Sequence, residues 1–121
     1  MLLKALFGSK DKELVLQYLL AKKEGYASKI ARFFNTNPSQ ITKQLELLEN
    51  AGILIGYPIG RARLYKFDPR YYFLPELKML LEKARDAYPD KFKNKLLFTR
   101  TAPRRKGKPY MLKGDNFETE I

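Results

Sequence analysis

Apolar residues in this chain follow the period of a helix in most segments and the pattern of a hairpin in one. Apolar positions three and four residues apart predict helices over residues 1–7, 10–23, 27–34, 38–50 and 75–87. Two runs rich in β-branched and aromatic residues, 53–59 and 63–67, flank a glycine-containing turn at residues 60–62 and predict a β-hairpin. Together they predict a mainly α fold with a small β-hairpin, of the α+β class.

Capping and turn residues indicate where several of these elements begin and end. Ser9 is placed to cap helix 10–23, and Asn37 is placed to cap a helix whose first residue is Pro38. Gly25 is expected to end helix 10–23. Pro58 cannot donate a ladder hydrogen bond, so we expect it to weaken its strand or to place that strand on an edge.

The helices at 27–34 and 38–50 are separated by three residues and are followed by the hairpin. A short turn between two helices leaves the second on an exposed edge, where its N-terminal residues can enter the major groove of DNA. The order of elements therefore predicts a winged helix-turn-helix domain over residues 1–88. An ordinary solvated helix face is the alternative for this second helix.

The outward face of helix 38–50 is polar and free of acid in its N-terminal half. It carries Ser39, Gln40, Thr42 and Lys43. Gln40 suits the edge of adenine, and Lys43 suits guanine or a phosphate. Ser39 and Thr42 suit either kind of base. These four residues are the predicted base-reading positions.

Basic residues at the hairpin and at the preceding helix are predicted to contact the DNA backbone. Arg61 and Arg63 are two residues apart, so within a strand they would share one face. Arginine grips phosphates and enters narrow minor grooves. Ser28 and Lys29 begin helix 27–34, whose N-terminus could hold a phosphate. A hairpin charged only for solubility is the alternative.

The composition favours an anionic partner and argues against catalysis. The chain has 24 Lys and Arg against 13 Asp and Glu, a net charge of +11. Such a charge attracts nucleic acid or an anionic membrane surface. There is no cysteine and no histidine, which excludes thiol and imidazole chemistry and the usual zinc ligands. We expect no enzyme activity, no cofactor and no metal.

No apolar run approaches the roughly 20 residues that a membrane-spanning helix needs. We therefore expect no membrane partner, and a cytoplasmic, nucleoid-associated location.

Residues 89–121 are predicted to form a flexible, basic C-terminal tail. Residues 91–113 contain nine Lys or Arg and no acid, and the predicted DNA contacts there are Arg104, Arg105, Lys106 and Lys108. The segment 106–109 (KGKP) loosely resembles an AT-hook, with lysine in place of both arginines. Plain attraction to phosphates explains these residues equally well.

Much of the chain, residues 6–87, resembles the ArsR-like winged-helix transcription regulators. The matching segments are residues 6–9 (LFGS), 38–45 (PSQITKQL), 47–54 (LLENAGIL), 60–65 (GRARLY) and 68–69 (DP). Among these regulators the chain is most similar to the winged helices that precede nucleotidyltransferase domains, although the paired aspartates of that domain are absent. Many ArsR-like proteins sense metals through Cys and His. Because this chain has neither, and Gln44 stands where histidine is frequent, metal sensing is not expected.

The resemblance implies a homodimer built from the first and last helices. Independently, the four apolar residues of the first helix are more than a lone terminal helix needs, and three leucines of the last helix could complete the interface. The predicted interface residues are Leu2, Leu3, Leu6, Phe7, Leu77, Leu80 and Leu81. Closure of a monomeric core by the same residues is the alternative.

These observations predict a sequence-specific regulator of transcription, a repressor that binds an inverted repeat in duplex DNA as a dimer. One alternative is a non-enzymatic, antitoxin-like module whose main partner is another protein. A second alternative is an architectural protein that binds DNA without regard to sequence.

Overall fold

The computed structural model describes residues 1–98. In chain order the elements are α1 (Lys4–Phe7), α2 (Lys10–Lys22), β1 (Gly25–Tyr26), α3 (Ala27–Phe34), α4 (Pro38–Asn50), β2 (Leu54–Ile59), β3 (Ala62–Phe67), α5 (Leu74–Asp86) and α6 (Asp90–Phe98). The described residues thus form an α+β structure with one small antiparallel sheet, which confirms the predicted class. The chain divides into two units between Ala87 and Tyr88.

Helix α2 is the central element of the first unit. Its residues 13–19 are all buried, and it packs against α1, α3, α4, α5 and the sheet. A helix buried on all sides needs partners for its polar side chains. Glu13 accepts a hydrogen bond from the backbone N–H of Leu3 (2.9 Å), and Gln17 Nε2 donates to the carbonyl of Leu81 (2.8 Å). These two bonds attach the N-terminal segment and α5 to α2.

The sheet has the strand order β1-β3-β2, so β2 is an edge strand, as its Pro58 predicted. β2 and β3 pair from Leu54↔Phe67 to Ile59↔Ala62. The two residues between the strands are Gly60 and Arg61, and Gly60 has a φ of 61°. A positive φ at the first turn position is typical of the type II′ hairpin. The turn is therefore one residue shorter than the sequence predicted.

Strand β1 was not predicted, and its Gly25 does not end α2. The helix ends at Lys22, and its C-cap residue Lys23 has a φ of 78° and donates its N–H to the carbonyl of Leu19. Gly25 instead pairs with Tyr65. A Cβ on Gly25 would lie 2.7 Å from Tyr18 Cε1 and 3.2 Å from Ile30 Cγ1. Glycine is required at this position because the strand lies directly against these side chains.

Helix α6 lies in the segment that was expected to be flexible tail. Its only buried residue is Leu96, and the ring of Phe92 packs edge-on against Tyr88 at 5.1 Å between centroids. Lys93 Nζ lies 3.9 Å from Asp90 Oδ1, one turn away. The sequence pattern missed this helix because its lysines separate the few apolar positions. The rest of the predicted tail lies outside the described residues.

Two helix starts were predicted from their caps, and both caps are present. Ser9 Oγ accepts from the N–H of Lys12 (3.2 Å), and Asn37 Oδ1 accepts from the N–H of Ser39 (2.9 Å). Helix α4 runs from Pro38 to Asn50, as predicted. The terminal helices differ slightly: α1 is confined to residues 4–7, and α5 begins and ends one residue early.

Replacing Asn37 with alanine is expected to lower the free energy of unfolding by about 1 kcal/mol, because the N–H of Ser39 loses its acceptor. Urea denaturation followed by far-UV circular dichroism measures the change. The control is Asn37→Asp, which keeps an acceptor oxygen and should lose little. Equal losses in the two variants would contradict the capping role.

Candidate nucleic-acid interface

Helices α3 and α4 pack against each other, and the connection between them is a tight turn. Helix α3 ends at Phe34, its C-cap residue Asn35 has a left-handed φ of 53°, and Asn37 caps α4 two residues later. Ile30 of α3 and Ile41 and Leu45 of α4 are completely buried. The apolar side of α4 is thereby fixed inward, so the opposite side of the helix faces solvent.

The solvent face of α4 has a polar N-terminal half and an acidic C-terminal half. Ser39, Gln40 and Lys43 are exposed, while Thr42 is half-buried. Glu46 is exposed one turn further along. A polyanion would be repelled by that carboxylate, so the charge pattern favours approach to the N-terminal half only.

The hydroxyl of Ser39 already makes a hydrogen bond, which the sequence did not predict. Its hydroxyl donates to Asn37 Oδ1 (2.8 Å), the atom that also caps the helix. Phosphate oxygens only accept hydrogen bonds, whereas adenine N6 and cytosine N4 donate them. With its proton committed to Asn37, Ser39 is suited to accept from a base edge and poorly suited to bind a phosphate.

Helix α3 contributes a basic face beside α4. Ser28 is exposed and Lys29 is half-buried, both in the first turn. Arg32 is exposed and lies three residues after Lys29, hence on the same side of the helix. Arg32 was not among the predicted contacts, although its spacing from Lys29 could have indicated it.

The two hairpin arginines have different surroundings. Arg61 lies in the turn and is exposed. Arg63 lies on β3 and is bound to Glu49 of α4: its Nη2 is 2.7 Å from Oε2 and its Nε is 3.2 Å from Oε1. The prediction that both arginines share one strand face is therefore wrong, because Arg61 is not in the strand.

Glu49 has a further partner in the hairpin, since the backbone N–H of Gly56 donates to its Oε2 (3.2 Å). The hydrogen bond from Arg63 holds the pKa of the Glu49 carboxyl below its ordinary value, and that from Gly56 acts in the same direction. The Glu49 carboxylate therefore stays ionised to a lower pH than an unpaired glutamate would. Neither Glu49 nor Gly56 was a predicted site residue, because no spacing rule connects residues so far apart in sequence.

Some of the residues predicted to form the dimer interface lie on the surface, and others lie in the core. Leu3 and Leu81 are buried within the chain, so no partner can contact them. Leu2 and Leu6 are 57% and 70% exposed, Leu80 is 36% exposed, and Phe7 and Leu77 are half-buried. Leu6 borders a mostly apolar groove of about 320 Å³ whose other walls include Phe7, Lys12, Leu47, Ile53 and Leu77.

The four predicted tail contacts, Arg104, Arg105, Lys106 and Lys108, lie outside the described residues. Within residues 1–98, no group of three or more Asp or Glu side chains is placed to hold a metal ion. None of the described helices is both long enough and apolar enough to cross a membrane.

Comparison with protein-family models, with curated proteins and with solved structures found no match in any of the three. The resemblance to ArsR-like regulators accordingly stays a prediction from the quoted segments.

Proposed function

We propose that this chain is a winged helix-turn-helix protein that binds duplex DNA. Helix α4 would enter the major groove, and the β2–β3 hairpin would be the wing, lying on the backbone or in the minor groove. The proposal rests mainly on the surface of the N-terminal half of α4. It is exposed, polar and free of acid at the edge of a tightly packed helix pair.

The side chains on that half of α4 match the requirements of base recognition. The major groove of B-DNA admits one α-helix, and each base pair presents a distinct set of donors and acceptors there. Gln40 can pair with adenine, and Lys43 can donate to guanine or a phosphate. Ser39, whose proton is held by Asn37, can accept from a base amino group.

Basic side chains on α3 and on the hairpin, the two neighbours of α4 in the sequence, would hold the phosphates. Arg61 extends from the hairpin turn, and Lys29 and Arg32 extend from α3. Contacts of this kind fix the position of a protein on DNA without reading its sequence. Arg63 is bound to Glu49 and is not assigned a phosphate contact.

The proposed biological role is sequence-specific regulation of transcription, most simply repression, without enzyme activity. The resemblance to ArsR-like regulators supports this role. A repressor must distinguish its site from bulk DNA by about a thousandfold or more. The distinct side chains Ser39, Gln40 and Lys43 offer the means for such discrimination.

Selection from a pool of random duplexes, followed by fluorescence anisotropy over a salt series, tests the proposal. The expected result is a palindromic consensus bound at least about a thousandfold more tightly than bulk DNA. Equal binding of all duplexes, with an affinity that collapses in salt, would favour an architectural protein. No DNA binding, together with stable co-purification of another protein, would favour the antitoxin-like module.

We further propose that the protein binds DNA as a homodimer whose interface includes Leu6 and the neighbouring apolar groove. Leu6 is 70% exposed and protrudes beside the groove that it partly lines. In a two-fold dimer, one copy of such a surface can place its leucine in the groove of the other. Leu2 and Leu80 are exposed and therefore accessible to a partner, whereas Leu3 and Leu81 are buried.

Leu6→Lys is expected to shift the dimer to monomer, because a second ammonium would enter a mostly apolar groove that already holds Lys12. Sedimentation velocity at several protein concentrations measures the change, and dimerisation is expected to weaken by about tenfold or more. The matched control is Met79→Lys, which changes a similarly exposed apolar residue (67%) that does not line the groove. A wild-type protein that sediments as a monomer at all concentrations would contradict the proposal.

A further inference from the structure

The hairpin is fastened to helix α4 at two points by one carboxylate. Glu49 Oε2 accepts from Arg63 Nη2 on β3 and from the N–H of Gly56 on β2, while Oε1 accepts from Arg63 Nε. Glu49 thus binds both strands of the hairpin. The two parallel hydrogen bonds to the guanidinium also restrict the direction from which Arg63 can approach.

The space for this contact exists because position 56 is glycine. A Cβ there would lie 2.5 Å from Arg63 Nε and 3.1 Å from Glu49 Oε2. Gly56 pairs with Tyr65, and Pro58 pairs with Arg63, so these residues belong to one region of the hairpin. A side chain at 56 would force the Arg63 guanidinium to move from its present position.

We propose that Glu49 is a positioning residue that sets the wing relative to α4, and that Arg63 acts on DNA only through Glu49. The inference rests on the proposed DNA binding. With this contact in place, Arg61 is held at a fixed distance from the base-reading residues of α4. The wing then contributes a phosphate contact through Arg61, without an added cost of ordering the hairpin on binding.

A negative residue on a DNA-binding helix normally weakens DNA binding. The effect of Glu49→Ala on DNA affinity therefore distinguishes a repelling Glu49 from a positioning one. If Glu49 only repelled phosphates, Glu49→Ala would bind DNA more tightly and would free Arg63 to add a phosphate contact. If Glu49 positions the wing, Glu49→Ala binds more weakly although the protein has become more basic. The two roles predict opposite signs.

The test is anisotropy titration of one duplex over a salt series with wild type, Glu49→Ala, Arg63→Ala and Arg61→Ala. Arg61→Ala should reduce the slope of log K against log salt by about 0.9, the value for one lost phosphate contact. Glu49→Ala and Arg63→Ala should each weaken binding by about 3- to 10-fold, with an unchanged slope. Tighter binding by Glu49→Ala, or an equal loss of slope in Arg63→Ala and Arg61→Ala, would overturn the proposal.

Hydrogen exchange of the Gly56 amide gives a readout that does not depend on DNA. Removal of the acceptor in Glu49→Ala should accelerate this exchange by about tenfold or more, while Glu49→Gln, which keeps an acceptor oxygen, should accelerate it less. Unchanged exchange in Glu49→Ala would overturn the positioning role itself. If exchange is faster in Glu49→Ala but the wild-type protein binds no duplex, the contact of Glu49 with the hairpin is supported and the proposed DNA binding is contradicted.

Discussion

Replacing Gln40 with alanine is expected to relax the DNA consensus at one base pair and to reduce discrimination there by about 10- to 100-fold. A side-chain amide that pairs with adenine contributes about 1–3 kcal/mol of preference over the other bases. Gln40 is exposed in the first turn of α4, where a helix in the major groove comes closest to the bases. Competition anisotropy with a set of duplexes, each altered at one position, measures the preference.

Asn50→Ala is the matched control for this variant. Asn50 is also an exposed amide on α4, but it is the last residue of the helix, beyond Glu46 and Glu49. Its replacement should leave the consensus unchanged. Equal losses in the two variants would contradict the assignment of base reading to the N-terminal half of α4.

Replacing Gly25 with alanine is expected to destabilise the protein by about 1–3 kcal/mol, the usual cost of forcing an extra carbon into a packed core. The new Cβ would lie 2.7 Å from Tyr18 Cε1, and the ring of Tyr18 is held edge-on to Phe33 at 5.2 Å between centroids. Tyr18 is almost completely buried, so the ring has little room to withdraw. Urea denaturation measures the loss.

The Tyr18→Leu background separates this steric effect from a general intolerance of Gly25 to substitution. Leucine does not reach as far as the ring carbon that a Cβ at position 25 would meet, so Gly25→Ala should cost less there than in the wild type. The two substitutions should therefore be coupled. Additive losses would show that the contact with Tyr18 is not the reason for glycine at this position.

The first and last residues of helix α4 could be predicted because the residues that determine them are close together in the sequence. Asn37, Pro38 and the buried stripe of Ile41, Leu45 and Leu48 all lie within the helix or next to it. The base-reading candidates follow from the same stripe, because fixing the buried face also fixes the exposed one. The hairpin was predicted for the same reason, since Gly60 lies between two β-rich runs.

The contacts that the sequence did not predict join residues that are distant along the chain. Glu49 and Arg63 are 14 residues apart, and Gln17 and Leu81 are 64 apart. Strand β1 has only two residues, too few for any alternating pattern, and it forms because β3 supplies its partner. Burial of Leu3 and Leu81 likewise depends on how α1 and α5 pack on α2, which residue types alone do not determine.

The role of Arg63 shows how such a contact changes the functional interpretation. From sequence, Arg61 and Arg63 were equivalent wing arginines. In the structure one is exposed in the turn and the other is bound to Glu49. Arg63 is also exposed, but its Nε and Nη2 are bound to Glu49, so fewer of its donors than those of Arg61 are open to a phosphate.

In the proposed mode of binding, DNA lies against the N-terminal half of α4 and the tip of the hairpin. Amide chemical-shift mapping of isotope-labelled protein during titration with a duplex tests this most directly. The largest shifts are expected at Ser39, Gln40, Lys43 and Arg61. If the shifts were instead concentrated at the exposed aromatic residues Tyr72 and Phe73, or were absent at saturating duplex, the proposed mode of DNA binding would be contradicted.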